Sequence, residues 1–186
     1  MPDTIPVTVE VTFLRMEAPP ADPAPPLPDG VGVLRLPRPT VGFYRYLYDT
    51  VGRDYCWWLR RTVSDGRLGR ILADPAVSIH VLYRDGEPAG FYELERRPDR
   101  TINLGYFGLM PHVIGAGLGR PFLRDAVDTA WAERPDGLTV NTCTADHPRA
   151  MPNYLAAGFT VTRRVREEWP IPAELDLRLP ASLPPG

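Results

Sequence analysis

The chain has 186 residues, 44% of them hydrophobic and 24% charged, with 21 basic against 23 acidic side chains for a formal net charge of -2. That is enough apolar chain for one well-filled domain, and without a run of like charge a nucleic-acid partner has no electrostatic support. No apolar run approaches the roughly 20 residues of a membrane span, and the opening MPDTIPVTVEV lacks the basic start and long apolar stretch of a secretory signal.

From residue 5 to 16, apolar Val7, Val9, Val11 and Phe13 alternate with Thr8, Glu10 and Thr12, the period of a half-buried strand. The stretch PPADPAPPLPDG follows, with six prolines, and reads as a stiff surface linker. VGVLRL suggests a second strand. RPTVGFYRYLYDTVG predicts a helix with Thr40 as N-cap and an apolar face of Phe43, Tyr44, Leu47, Tyr48 and Val51. A short helix is expected after Ser64, ending near ADP. In VSIHVLYRDGEPAGFYELERR two strand-like runs flank the turn-forming Asp85-Gly86-Glu87, which predicts a hairpin. A strand from about 102 to 109, a helix from about 117 to 133, the strand LTVNTCT, the short helix PRAMPNYLAAG and a last strand near FTVTRRVREEW complete the order. The tail LPASLPPG is expected to be loose.

These elements predict a single α/β domain with a mixed, mostly antiparallel sheet. An N-terminal strand segment (1–18), a Pro-rich linker (19–30), a core (31–170) and a Pro-rich tail (171–186) are its expected parts. Cys56 and Cys143 lie far apart with no CxxC spacing, so neither a metal nor a disulfide framework is expected, and a reducing cytoplasm is the expected setting.

Gly115, Gly117 and Gly119 stand at every second position between an apolar, β-prone run and a helical pattern. A dinucleotide fingerprint needs GxGxxG, but Arg120 stands where the third glycine should be; a P-loop needs a Lys-Ser or Lys-Thr that is absent. What remains is a loop of free amides at a helix N-terminus, an anion site suited to a pyrophosphate. Arg120 adds a cation, and Pro121 is tolerated because first-turn N–H groups lack helical partners. A glycine turn that merely packs closely would look the same.

LMPHVIGAGLGRPFL resembles the acyl-coenzyme A loop of the GNAT superfamily of N-acetyltransferases, approximately Q/R-x-x-G-x-G/A, with Ile114, Gly117 and Gly119 in its register. HPRAMPNYLAAGF resembles the second signature, roughly N-x-x-A-x-x-x-Y-x-x-x-G-F, with Ala150, Tyr154, Gly158 and Phe159 in place. The resemblance covers residues 77–165 and implies a GNAT fold with acetyl-CoA bound by Leu109, Met110, Ile114, Gly115, Ala116, Gly117, Leu118, Gly119, Arg120 and His147. Ile114 replaces the usual Arg or Gln at the loop start and Ala116 a basic residue, while backbone amides supply most pyrophosphate contacts in the family. His147 replaces the Asn that helps hold the pantetheine arm.

The resemblance further implies direct acetyl transfer to an amine. The amine must be deprotonated, the thioester carbonyl polarised and the departing thiolate protonated. A strand amide near Leu109 or Met110 is expected to polarise the carbonyl. Tyr154 is the expected acid, on a position that also suits an aromatic packing residue. For the base, relatives carry Glu where this chain has Asn103; Glu93, on the adjacent strand with Phe91 and Glu95 on the same face, is the substitute, with His147 or a water chain as alternatives. Cys143 has no readable base beside it and is expected to be structural.

Residues 43–58 hold seven aromatics, Phe43, Tyr44, Tyr46, Tyr48, Tyr55, Trp57 and Trp58. In the family this region walls the acceptor side, and aromatic walls suit a small amine bearing a ring or a cation. Tyr44, Leu47, Tyr48 and Val51 fit a packed helix; Trp57 and Trp58 fit it less well. The expectation is an acetyl-CoA-dependent N-acetyltransferase acting on a small primary amine, without metal, nucleic acid or membrane and with a homodimer allowed. A protein acetyltransferase and an inactive acyl-CoA-binding domain are the alternatives.

Overall fold

The computed structural model describes residues 3–178, 180 and 183. The tail read as loose therefore lies outside the described residues, apart from Pro180 and Leu183. Seven strands form one sheet: β1 (Thr4–Met16), β2 (Val31–Leu36), β3 (Val77–Arg84), β4 (Glu87–Arg96), β5 (Ile102–Leu109), β6 (Leu138–Cys143) and β7 (Thr160–Pro172). Among the described residues four α-helices accompany them: α1 (Val41–Val51), α2 (Asp65–Ala73), α3 (Gly119–Ala132) and α4 (Ala150–Ala156).

The predicted punctuation holds in detail. Thr40 caps α1, its hydroxyl accepting the Phe43 N–H at 3.3 Å, and Tyr44, Leu47, Tyr48 and Val51 are its buried face. Asp85 and Gly86 turn the β3–β4 hairpin with φ of 52° and 86°, the left-handed pair a two-residue hairpin requires. Ser64 precedes α2 but its side chain makes no capping bond.

The sheet order is β2-β3-β4-β5-β6-β1-β7. Only β5 and β6 are parallel, joined by the crossover helix α3 that such a pair needs. The first strand thus sits at the far end from the second, between β6 and β7, and the Pro-rich linker spans the distance. Leu27 packs on the core, and Arg124 of α3 donates to the Asp22 carbonyl. The two faces of β1 are buried at opposite ends of the strand. Leu14 and Met16 join the main core with α3 and α4; Val7, Val9 and Val11 join a smaller cluster with Cys56, Trp58 and Trp169. Period-two geometry alone separates the two sets.

The feature that positions the site is a splay. β5 and β6 pair only from Ile102–Leu138 to Leu104–Val140, while β5 runs on to Leu109 and β6 to Cys143. Opposite Glu93–Leu94 the β5 register slips by one residue at Gly105, a bulge that bends the strand where the pair opens.

Candidate active site

A cavity of about 1060 Å³ fills this splay. The residues expected from sequence converge on it: Glu93, Leu109, Ile114, Gly115, Gly117, Leu118, Gly119, Arg120, His147 and Tyr154 all line its wall. Met110 and Ala116 do not. Met110 is fully buried in the core and gives its N–H to the Ala89 carbonyl at 2.8 Å. Strand alternation then turns the Leu109 amide, one residue earlier, toward the opened side. Ala116 is exposed and gives its N–H to Val113 at 3.1 Å. Of the two strand amides expected to face the thioester, only that of Leu109 is so directed.

The loop has the backbone its glycines imply. Gly115 and Gly117 have φ of 90° and 79°, and a Cβ built on either meets nothing within 4 Å. Open space is thus left beside the chain at both positions. The N–H groups of Gly117, Leu118, Gly119 and Arg120 have no backbone acceptor among the described residues and cluster at the N-terminus of α3. Their chemistry fits a pyrophosphate.

Glu93 is only 2% exposed, which excludes a carboxylate idling at a sheet edge. Its partners were not foreseen. Arg60 reaches Oε1 at 2.5 Å, and the Tyr44 hydroxyl donates to Oε2 at 2.6 Å. Arg60 comes from a 3-10 turn at Leu59–Thr62 and lies 5.4 Å from the centre of the Tyr106 ring. Burial disfavours the Arg60 charge, but Glu93 beside it more than offsets this and raises the guanidinium pKa. Burial, then the Glu93 charge, push Tyr44 well above the usual phenol range, so it stays a donor. Asn103 takes a hydrogen bond from the Thr139 hydroxyl at 3.0 Å. A Cβ on Gly105 would lie 3.5 Å from Asn103 Nδ2 and 3.8 Å from Glu93 Oε1, so these two side chains converge above that glycine.

His147 accepts the Arg149 N–H on Nδ1 at 3.1 Å. A backbone amide can only donate, so the neutral imidazole carries its hydrogen on Nε2 and serves as a donor. Capping thus occupies the nitrogen that a base would need. Tyr154 is 6% exposed, packed against Phe107 and Phe159, and burial followed by the nearby Asp146 charge raises its phenol above the usual range. It therefore remains protonated across the working pH range. Burial also pushes the Cys143 thiol up to about 12 and Cys56 to about 11, with Asp146 adding to both. Neither is a thiolate at neutral pH.

The aromatic region divides as its spacing suggests. Tyr44 and Leu47 are buried in the core; Trp57 and Trp58 reach the cavity, as does Tyr55. Trp57 lies against Tyr48 and Tyr106, with ring centres 5.2 and 5.1 Å apart. Trp58 faces Trp169 of β7 at 6.5 Å. Sequence reasoning missed Arg60 and Asp146, both on the cavity wall. Among the described residues no group of three or more His, Cys, Asp and Glu side chains is placed to hold a metal, and no helix is long and apolar enough to cross a membrane.

A splayed parallel pair followed by a glycine turn and a helix N-terminus is the arrangement found on this cavity. Residues 37–159 match the family model of the acetyltransferase (GNAT) family. The chain belongs to that family, whose members are acyltransferases. A GCN5-related N-acetyltransferase from Sphaerobacter thermophilus superposes with a TM-score of 0.60 at 17% identity, over 89% of this chain and 53% of that one. One from Kribbella flavida gives 0.60 at 18%, over 94% and 63%. A tandem GNAT protein from the clavulanic acid biosynthesis pathway gives 0.59 at 16%, over 90% and 55%. At these identities the likeness is one of fold. The chain spans between about half and two thirds of the length of these three structures. No curated protein matches its sequence.

Proposed function

We propose that the protein transfers an acetyl group from acetyl-CoA directly to the primary amine of a small molecule. The observation that carries this reading is the convergence of free loop amides, the outward Leu109 amide and the Tyr154 phenol on one cavity. Its volume of about 1060 Å³ is at the upper end of ligand pockets, which span roughly 300–1,000 Å³, and suits a pantetheine arm together with a small acceptor.

In this reading the N–H groups from Gly117 to Arg120 hold the pyrophosphate, and Ile114, Gly115 and Leu118 wall it. His147 donates through Nε2 to the pantetheine arm. The Leu109 amide polarises the thioester carbonyl, a preorganised dipole acting where charge develops. Tyr154 gives its proton to the departing thiolate. Glu93, held by Arg60 and Tyr44, forms part of the polar floor of the acceptor chamber. Trp57 and Trp58 supply aromatic wall. The aromatic wall favours a small amine over a peptide, and a cytoplasmic setting agrees with two unpaired cysteines. A homodimer is compatible with this reading.

The test is a panel of primary amines and lysine peptides incubated with acetyl-CoA, with released coenzyme A read as free thiol. Amine-dependent release with small amines is expected. Release with peptides alone would replace this reading with protein acetylation, and binding of acetyl-CoA without any release would replace it with an inactive domain.

A further inference from the structure

Three carboxyl residues line the cavity, Glu93, Glu95 and Asp146, and they differ in one respect. Glu95 is exposed and pairs with Arg97 at 3.7 Å. Glu93 has a cation beside it in Arg60. Asp146 has none. It lies just beyond β6, where its Oδ2 accepts the Thr142 hydroxyl at 2.7 Å and the Cys143 N–H at 2.9 Å. The groups that bear on it are Tyr55 and Cys56 from the turn after α1, the Trp57 indole, Cys143 of β6 and Tyr154 of α4. All of these are neutral at working pH, and Asp146 forms no ion pair among the described residues. His147 and Arg149 flank it in sequence and also line the cavity. His147 turns its Nδ1 to the Arg149 amide.

Asp146 is half-buried, and a carboxylate withdrawn from water without a counter-charge is costly, so natural proteins pair such groups or neutralise them. The missing partner here has a place to stand. Asp146 lines the cavity near Tyr55 and the Trp57 indole, and Trp58 and Trp169, whose rings are 6.5 Å apart, line the same cavity. Aromatic side chains and one half-buried anion on a shared wall are the complement of an organic ammonium with an apolar body.

Resting on the acetyl-transfer reading above, we infer that Asp146 is the carboxylate that receives the acceptor's ammonium group and takes its proton, and that the acceptor is a primary ammonium bearing an aryl or similarly apolar body. Burial raises the Asp146 carboxyl despite its hydrogen bonds from Thr142, the Cys143 backbone and the Trp57 indole, which moves it toward the range a proton acceptor needs. The protons balance. The ammonium gives one proton to Asp146, and the freed amine forms a C–N bond to the acetyl carbon as the C–S bond breaks. Tyr154 protonates the thiolate, and the amide nitrogen's second proton replenishes the phenol. The third hydrogen stays on the amide, and Asp146 returns its proton to solvent. Glu93, already compensated by Arg60, positions the floor of the chamber and does not take that proton.

The test compares 2-phenylethylamine with the uncharged 2-phenylethanol by calorimetry at neutral pH, in the presence and absence of coenzyme A. The parent should prefer the ammonium, and Asp146→Asn should lose that preference by about tenfold or more while binding the alcohol as before. A purely structural Asp146 would weaken both ligands alike. In turnover, Asp146→Asn should fall about a hundredfold at neutral pH and recover as alkali delivers neutral amine. A parent without preference, a variant that keeps it, or loss of the preference in Glu93→Gln alone would overturn the assignment. The binding arm needs no donor, so failure of acetyl-CoA to bind would sink the transfer reading and leave the ammonium result legible.

Discussion

Replacing Gly117 with Ala tests the donor loop at its most exacting position. Gly117 holds φ of 79°, and the added Cβ would meet no protein atom within 4 Å. The cost is therefore conformational, about 1–2 kcal/mol for an L-residue in the left-handed region. The loop can relieve it by rotating Gly117 to negative φ, which turns the neighbouring N–H groups away from the anion they would hold. Losing one charge-assisted hydrogen bond costs roughly 1.5–3 kcal/mol. The dissociation constant for acetyl-CoA should accordingly rise at least about tenfold, or 1.4 kcal/mol, while the melting temperature changes little. Gly119→Ala is the internal control. Its φ is ordinary, and its Cβ would make only van der Waals contact, 3.9 Å from Leu109 and 4.0 Å from Asn153. Isothermal titration calorimetry reads both. Unchanged affinity in a folded Gly117→Ala protein would refute the assignment of pyrophosphate to this loop.

Other consequences are equally concrete. Tyr154→Phe should lower kcat about a hundredfold with little change in KM, because a leaving-group proton matters only in the transition state; full activity would reduce Tyr154 to packing. Glu93→Gln removes the counter-charge of the largely buried Arg60, and should cost on the order of 3 kcal/mol in denaturant unfolding without alkaline rescue of the rate. Rescue specific to that variant would return the base to Glu93. His80 of β3, buried and stacked on Tyr92 of β4, is lowered by burial and then by Arg35 to about 4 from 6.5. A depressed histidine keeps its full contribution above pH 6.5 and loses it as pH falls toward 4, on the order of 3 kcal/mol in all. His80→Gln should flatten that limb of the stability–pH curve; an unaltered limb would assign the acid sensitivity elsewhere.

Much of this architecture was legible because local patterns and global fold agree. The alternation of Val7, Val9 and Val11, the Thr40 cap and the Asp85-Gly86 turn each specify their element within a few residues. The placement of β1 between β6 and β7 was not legible, since its partners lie more than a hundred residues away and no local pattern encodes the pairing. The last strand runs to Pro172, past Trp169 where the apolar pattern fades, because it keeps pairing with the start of β1. At the site, the glycine spacing announced the loop, yet Met110 was grouped with Leu109 because strand parity depends on the β4 register. Arg60 escaped notice because it sits in an irregular turn whose periodicity says nothing about its reach to Glu93. Asp146 reads in sequence as one more turn residue after a strand, and only its place on the cavity wall without a cation partner marks it out.

The central claim is direct transfer of acetyl to an amine in the β5–β6 cleft, and rapid-quench mass spectrometry with deuterated acetyl-CoA and an aryl-bearing primary amine tests it most directly. The account predicts deuterated amide in equal amount to free coenzyme A, protein of unshifted mass at every time point, and the same result in Cys143→Ala. Labelled acyl-protein forming before the amide, or no amide from protein that has bound acetyl-CoA, would contradict it.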